Sequence, residues 1–215
     1  PLLEYTKKIV DKATHYAAPQ GNIELREAIC KKLQKDNKIK TTPEHVLVTC
    51  GSQEAIYLSF LTSLDVSCQV IVPNPGYLVY TPALELVDAT PISLELREDE
   101  DWEINPDRLR KLIDKKKTHG IVINTPHNPL GTVYDRKILE EIADIAVEYD
   151  LYIFSDEAYE KLVYDRKHVS VGSLNGMNDY VVSFFTFSKS YAMCGYRLGY
   201  AGGPKNLIQA MTKVS

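Results

Sequence analysis

The sequence predicts an α/β domain of three layers, with helices on both faces of a mainly parallel, mixed sheet of about seven strands. Three observations carry this. From Glu44 onward, short apolar runs rich in β-branched residues alternate with stretches of helical period, the pattern of successive βαβ units. Gly120–Asn124 is apolar enough for burial on both faces, as central parallel strands are. The segments richest in polar, Gly and Pro residues each stand directly after a predicted strand, which puts them at one end of the sheet.

Residues 1–40 read as a helical segment leading into the main domain, 41–215. His45–Cys50 reads as a strand and Ser52–Ser63 as a helix. Gln69–Val72 is a second strand, followed by the turn residues Pro73-Asn74-Pro75-Gly76 and a helix near Tyr80–Val87. Pro91–Leu96 is a third strand. Pro106–Asp114 opens with Pro just inside a helix start, where the missing N–H costs nothing. After Gly120–Asn124 comes the helix Arg136–Tyr149, with Ile138, Leu139, Ile142, Ile145 and Ala146 on one stripe. Leu151–Phe154 and Tyr180–Phe185 continue the sheet, Arg197–Ala201 adds a last, antiparallel member, and Pro204–Val214 reads as a helix. The start at Pro1 and the end at Ser215, inside that helix, read as cut ends.

Composition narrows the function classes. The 215 residues are 44% hydrophobic with a net charge of −4, an ordinary globular balance without the clustered basic surface that nucleic acid requires. Lys115-Lys116-Lys117 reads as a solvated helix end. Cys30, Cys50, Cys68 and Cys194 form no CxxC pair, so no zinc or dithiol site is indicated, and a reducing, cytoplasmic setting is expected. No run approaches the roughly 18 apolar residues of a membrane helix, and the first dozen residues show no signal-peptide pattern.

The candidate functional residues each have a bland alternative. Gly51-Ser52-Gln53, between a strand and a helix, would turn backbone N–H groups and the helix dipole toward an anion such as phosphate, or merely make a tight turn. Lys189, after an apolar strand, could be a desolvated amine that attacks an aldehyde, or a surface charge. Asp156 could hold a protonated aromatic nitrogen, or cap a helix. Asn124–Gly131 is a rigid polar loop with two X-Pro bonds, either able to be cis. His127 has no partner at metal-ligand spacing, and no metal is expected.

In this order and spacing, "PNPGY", "NTPHNPLG", "SDEAY" and "SFFTFSKSYAMCGYRLGYAGGP" resemble the class I/II aminotransferases, fold-type I enzymes that use pyridoxal 5′-phosphate. Arg197 stands eight residues after Lys189, as in the family's pattern, and the resemblance runs from about Tyr16 to Pro204. It implies that Lys189 holds the cofactor as an imine and then shuttles the substrate Cα proton. It also implies that Asp156 pairs with the pyridine nitrogen, Asn128 and Tyr159 with the phenolic oxygen, and that Tyr77 stacks on the ring. Gly51, Ser52, Gln53, Thr186, Ser188 and Arg197 would hold the phosphate. Tyr16 is similar to the family tyrosine that reaches the neighbouring subunit's phosphate, implying a homodimer. Thr186 stands where many relatives carry Ser, and Gln53 where some carry Lys or Thr.

The resemblance further implies a large domain whose companions, an N-terminal arm and a small C-terminal domain that binds the substrate α-carboxylate, are absent. The leading expectation is amino transfer between an amino acid, of aspartate or aromatic type, and a 2-oxo acid. A carbon–sulfur lyase or aminocyclopropane-carboxylate synthase shares nearly every residue named, and a non-catalytic binding or dimerisation module is the reading from another class. A nicotinamide dehydrogenase is disfavoured, because "TCGSQEA" lacks the GxGxxG spacing.

Overall fold

The computed structural model describes residues 2–10 and 15–215; the stretch 11–14 and Pro1 of the predicted helical lead lie outside the described residues. The lead contains α1 (Leu2–Ile9) and α2 (Ile23–Lys32), and α2 runs into a π-helical turn, Leu33–Asn37. Then follow β1 (Val46–Thr49), α3 (Ser52–Ser63), β2 (Gln69–Asn74), α4 (Tyr80–Glu85), β3 (Thr90–Glu95) and α5 (Pro106–Leu112). The chain continues with β4 (Thr118–Asn124), α6 (Arg136–Tyr149), β5 (Tyr152–Asp156), β6 (Val181–Thr186), α7 (Phe187–Ser190), β7 (Gly199–Gly202) and α8 (Lys205–Val214).

The seven strands form one sheet in the order β1-β7-β6-β5-β4-β2-β3. β7 is antiparallel to both of its neighbours and every other pairing is parallel, so the mixed, mainly parallel sheet is as expected. Alternation along the strands sorts the core into two sides. Val70, Val122, Phe154 and Phe184 pack with α3, α4 and α8. Ile71, Ile121, Ile123 and Ile153 pack with α5 and α6 on the other face, where Phe185 and Tyr200 meet α2.

Register decides where function sits. Thr49 and Thr186 both lie opposite Gly199, while Asn124 pairs with Asp156 and Asp156 with Phe184. The carboxyl ends of β1, β4, β5 and β6 and the start of β7 therefore share one edge of the sheet.

Two local readings need correction. Lys115–Lys117 is not a helix end, because α5 stops at Leu112 and Ile113 is already extended. The Asp114 carboxylate accepts the Lys116 N–H at 2.9 Å, and this Asx-turn carries the lysines round into β4. β2 also runs on through Pro73 to Asn74, since parallel pairing with β3 persists to Asn74↔Glu95.

Candidate active site

A cavity of about 310 Å³ opens at this edge, lined by Ser52, Gln53, Tyr77, Asn128, Asp156, Ala158, Tyr159, Thr186, Ser188, Lys189 and Arg197. Ten of the twelve residues expected to serve the site are thus in one place. Gly51 is the backbone turn just behind Ser52, and Tyr16 lies elsewhere with its side chain wholly in solvent.

The floor is Asp156, the last residue of β5 and 4% exposed. Its Oδ2 accepts the Tyr80 hydroxyl at 2.7 Å and its Oδ1 the Ala158 N–H at 3.1 Å. No helix follows, so the helix-cap alternative falls: the carboxylate closes an Asx-turn that aims Tyr159 at the cavity. Burial raises the Asp156 pKa to about 6, against the pull of the Tyr80 and Ala158 hydrogen bonds.

Asn124 fixes the adjoining loop. Its Nδ2 donates to the Asp156 carbonyl at 3.0 Å and its Oδ1 accepts the Asn128 N–H at 2.7 Å, so strand and loop share one bracket. Both prolyl bonds of the loop, Thr125-Pro126 and Asn128-Pro129, are cis, as is Asn74-Pro75. His127 does not face this cavity; it lines a neighbouring cleft of about 700 Å³ that shares only Asn128 and Tyr159 with it. Burial lowers the His127 pKa to about 4, so the ring is neutral.

The anion end is built by close backbone approach. Gly51 has φ +85, and a Cβ there would lie 2.9 Å from Arg197 Nη2. A Cβ on Gly199 would come within 2.5 Å of Gly51 C and Ser52 N. Glycine at both positions lets β7 press the Arg197 guanidinium against the turn that opens α3, where unpaired N–H groups and the helix dipole favour an anion. Arg197 Nη1 donates to the Cys194 carbonyl at 3.0 Å, and the Thr186 hydroxyl accepts the Ser188 N–H at 3.2 Å.

Of the two readings of Lys189, the structure favours the exposed one: it stands on α7, a turn beyond the end of β6, and is exposed rather than a desolvated strand-end amine. Its ammonium nevertheless sits 5.5 Å from the Tyr159 ring centroid, inside the reach of the cavity.

A family model for aminotransferase class I and II matches residues 6–215. The chain belongs to the class I and II aminotransferase family. An aromatic-amino-acid aminotransferase of Thermococcus litoralis is 39% identical over 215 residues, and an aspartate aminotransferase of Pyrococcus abyssi 40%. Each alignment covers 99% of this chain and 55% of the relative. The crystal structure of an aromatic aminotransferase from Pyrococcus horikoshii superposes with a TM-score of 0.96 at 39% identity, covering 99% of this chain and 58% of that one. The chain spans little more than half the length of these relatives.

For a member of this family, two site residues escape the motif reading. Tyr80 and Asn124 touch Asp156 directly, yet both sit inside segments whose signal concerns other residues. Tyr80 stands three after Tyr77, on the same side of a helical turn, and the rings meet edge-on at 5.6 Å. That spacing is the signal that could have found it.

Proposed function

We propose that the chain forms the cofactor-binding domain of a pyridoxal 5′-phosphate-dependent aminotransferase, with residues 41–215 holding the cofactor and residues 1–40 leading into them. The observation that carries the reading is the convergence, in one cavity, of a lysine amine, a buried carboxylate and an arginine pressed against a glycine turn. The donor set suits a group that is anionic at one point and a protonated heterocycle at another. When bound, the cofactor supplies an aldehyde carbon for an amine and a ring that withdraws electrons from the substrate Cα.

The chain's own residues then have distinct tasks. Asp156 accepts the pyridine N–H; a cation beside it draws its pKa back down from about 6, and the ion pair keeps the nitrogen protonated. Tyr77 covers the ring, and Asn128 and Tyr159 donate to its phenolic oxygen. Ser52, Gln53, Thr186, Ser188 and Arg197, with the Gly51 turn, take the phosphate. The Lys189 amine would hold the cofactor through its aldehyde carbon and, as a free amine, would move the proton at the substrate Cα as general base and acid.

The relatives' names favour an aspartate or aromatic amino acid with a 2-oxo acid as the substrates. A homodimer is supported by Tyr16, whose free, fully exposed side chain suits reach into a neighbouring subunit. Four unpaired thiols suit a reducing, cytoplasmic setting. No helix among the described residues is long and apolar enough to cross a membrane.

The test is an absorption spectrum with added pyridoxal 5′-phosphate, before and after borohydride, with peptide mapping. A visible band that borohydride fixes on Lys189 is expected; labelling spread over surface lysines would sink the reading. Incubation with aspartate and 2-oxoglutarate should then give glutamate. Pyruvate and ammonia from cystathionine, without glutamate, would favour the lyase instead.

A further inference from the structure

The segment after β5 has two faces. Asp156 and Tyr159 face the cavity, while Glu157 and Glu160 are buried on the far side, at 0% and 9% exposure. Glu157 accepts the Ser155 hydroxyl at 3.2 Å, His168 Nε2 at 2.7 Å and the Ser170 hydroxyl. Glu160 pairs with the Lys32 ammonium and accepts Asn37 Nδ2 at 2.6 Å, and the same amide reaches Ser170 Oγ at 2.8 Å. The π-helical turn of the N-terminal lead is what brings Lys32 and Asn37 to bear on this one segment.

Glu157, Glu160 and His168 place ligand atoms within 4.8 Å of one another, the spacing of a metal site. The Lys32 ammonium already holds the cation position beside Glu160, so the cluster is an ion network of the chain's own groups. A carboxylate accepts only, so His168 donates to Glu157 from Nε2. Lys32 pairs with Glu160, and among the described residues no Lys or Arg lies within ion-pair distance of Glu157, the residue next to Asp156.

We infer that Glu157, held ionised by Ser155, His168 and Ser170, is a positioning residue that supplies a second negative charge behind Asp156 and so favours the proton on the cofactor's pyridine nitrogen. Burial opposes that charge, but the His168 and serine donors outweigh it and hold the Glu157 carboxyl below the usual range. The titratable groups that face Glu157 are His168, Asp156, Glu160, Lys32 and Tyr200. The inference rests on the cofactor reading above.

The experiment is a pH titration of protein loaded with pyridoxal 5′-phosphate labelled with ¹⁵N in the ring, read by the nitrogen's chemical shift. Glu157→Gln should lower the pyridine deprotonation midpoint by roughly one pH unit, the scale of one nearby charge at partial burial. Lys32→Gln removes the balancing cation and should raise it. Opposite signs cannot arise from loosened packing alone. Ser170→Ala, a milder change, should lower the midpoint by less, and it decides the matter if Glu157→Gln does not fold. Wild-type protein that shows no bound signal would defeat the cofactor reading itself. Wild-type protein with a protonated nitrogen and variants with an unmoved midpoint would defeat only the role of Glu157.

Discussion

The floor of the cavity, Asp156 backed by Tyr80 and Asn124, is buried and hydrogen-bonded on every side described, whereas the rim residues Lys189 and Arg197 stand exposed. The difference separates two kinds of site residue. Burial couples the floor to folding, so its chemistry is bound up with stability. The rim can be changed without disturbing the core, so its effects should fall on the ligand alone.

The largest effect is expected at Lys189. Lys189→Ala should abolish the borohydride-fixed label completely while the thermal melt stays where it was, since the side chain is exposed and its one ring contact, with Tyr159 at 5.5 Å, is at the cavity rim. A large fall in melting temperature would mean that Lys189 belongs to the scaffold.

Asp156 should behave in the opposite way. A carboxyl raised from 3.8 to about 6 binds its proton more readily in the folded state, so folding weakens as pH rises between those values and is level above. The cost at neutral pH is about 3 kcal/mol in the cofactor-free protein. Asp156→Asn retains the contact geometry with Tyr80 and Ala158 but carries no charge. It should remove the slope between about pH 4 and 6 in urea melts and make the cofactor-free protein more stable at pH 7 by up to about 3 kcal/mol. It should also abolish pyridine-nitrogen tuning. A slope that persists in Asp156→Asn would show that another group titrates there.

Gly199 tests whether backbone approach, and not side-chain choice, makes the anion end. A Cβ 2.5 Å from Gly51 C and Ser52 N meets backbone, which cannot swing aside. Gly199→Ala should cost about 1–3 kcal/mol and weaken phosphate binding together, because β1 and β7 must part to admit it. Phosphate affinity unchanged at lowered stability would separate the cradle from the sheet edge.

How much of this was legible in the sequence follows the same division. Residues whose role is fixed by the backbone frame, such as Gly51, Asp156 and Thr186, announce themselves by standing at strand ends, and the βαβ rhythm located those ends to within a residue or two. Arg136–Tyr149 and Ser52–Ser63 were legible to the residue, because each has a clear apolar stripe or a strong turn before it. Tyr80 was not, because what makes it a site residue is a contact across the fold to Asp156, 76 positions away. The Lys32–Glu160 pair is hidden for the same reason: a lysine at the end of a helix of mixed polarity looks solvated until the fold lays it over Phe185 of β6 beside Glu160. Lys189 is legible from its motif, but the motif leaves open whether the amine is desolvated or a surface charge, and only its exposed place on α7, three residues beyond the end of β6, decides between them.

Arg197 is where the comparison is most finely balanced. It is exposed, yet its guanidinium lies against Gly51 and donates to the Cys194 carbonyl, and its own backbone is left-handed at φ 50. The fork has donors to spare beyond that one carbonyl, and those face the opening of α3, so an anion gains a charge-assisted pair that a lysine would hold less well. Arg197→Gln keeps a donor for Cys194 while removing the charge. It should leave the melting temperature of the ligand-free protein unchanged and weaken both inorganic phosphate and pyridoxal 5′-phosphate by roughly tenfold, one charged hydrogen bond's worth. Arg197→Lys should recover only part of that, because a point charge cannot make the two-pronged contact. Equal affinity for Arg, Lys and Gln would mean that the α3 N–H groups hold the anion and the guanidinium is a bystander; a lowered melt in all variants would move Arg197 from rim to floor.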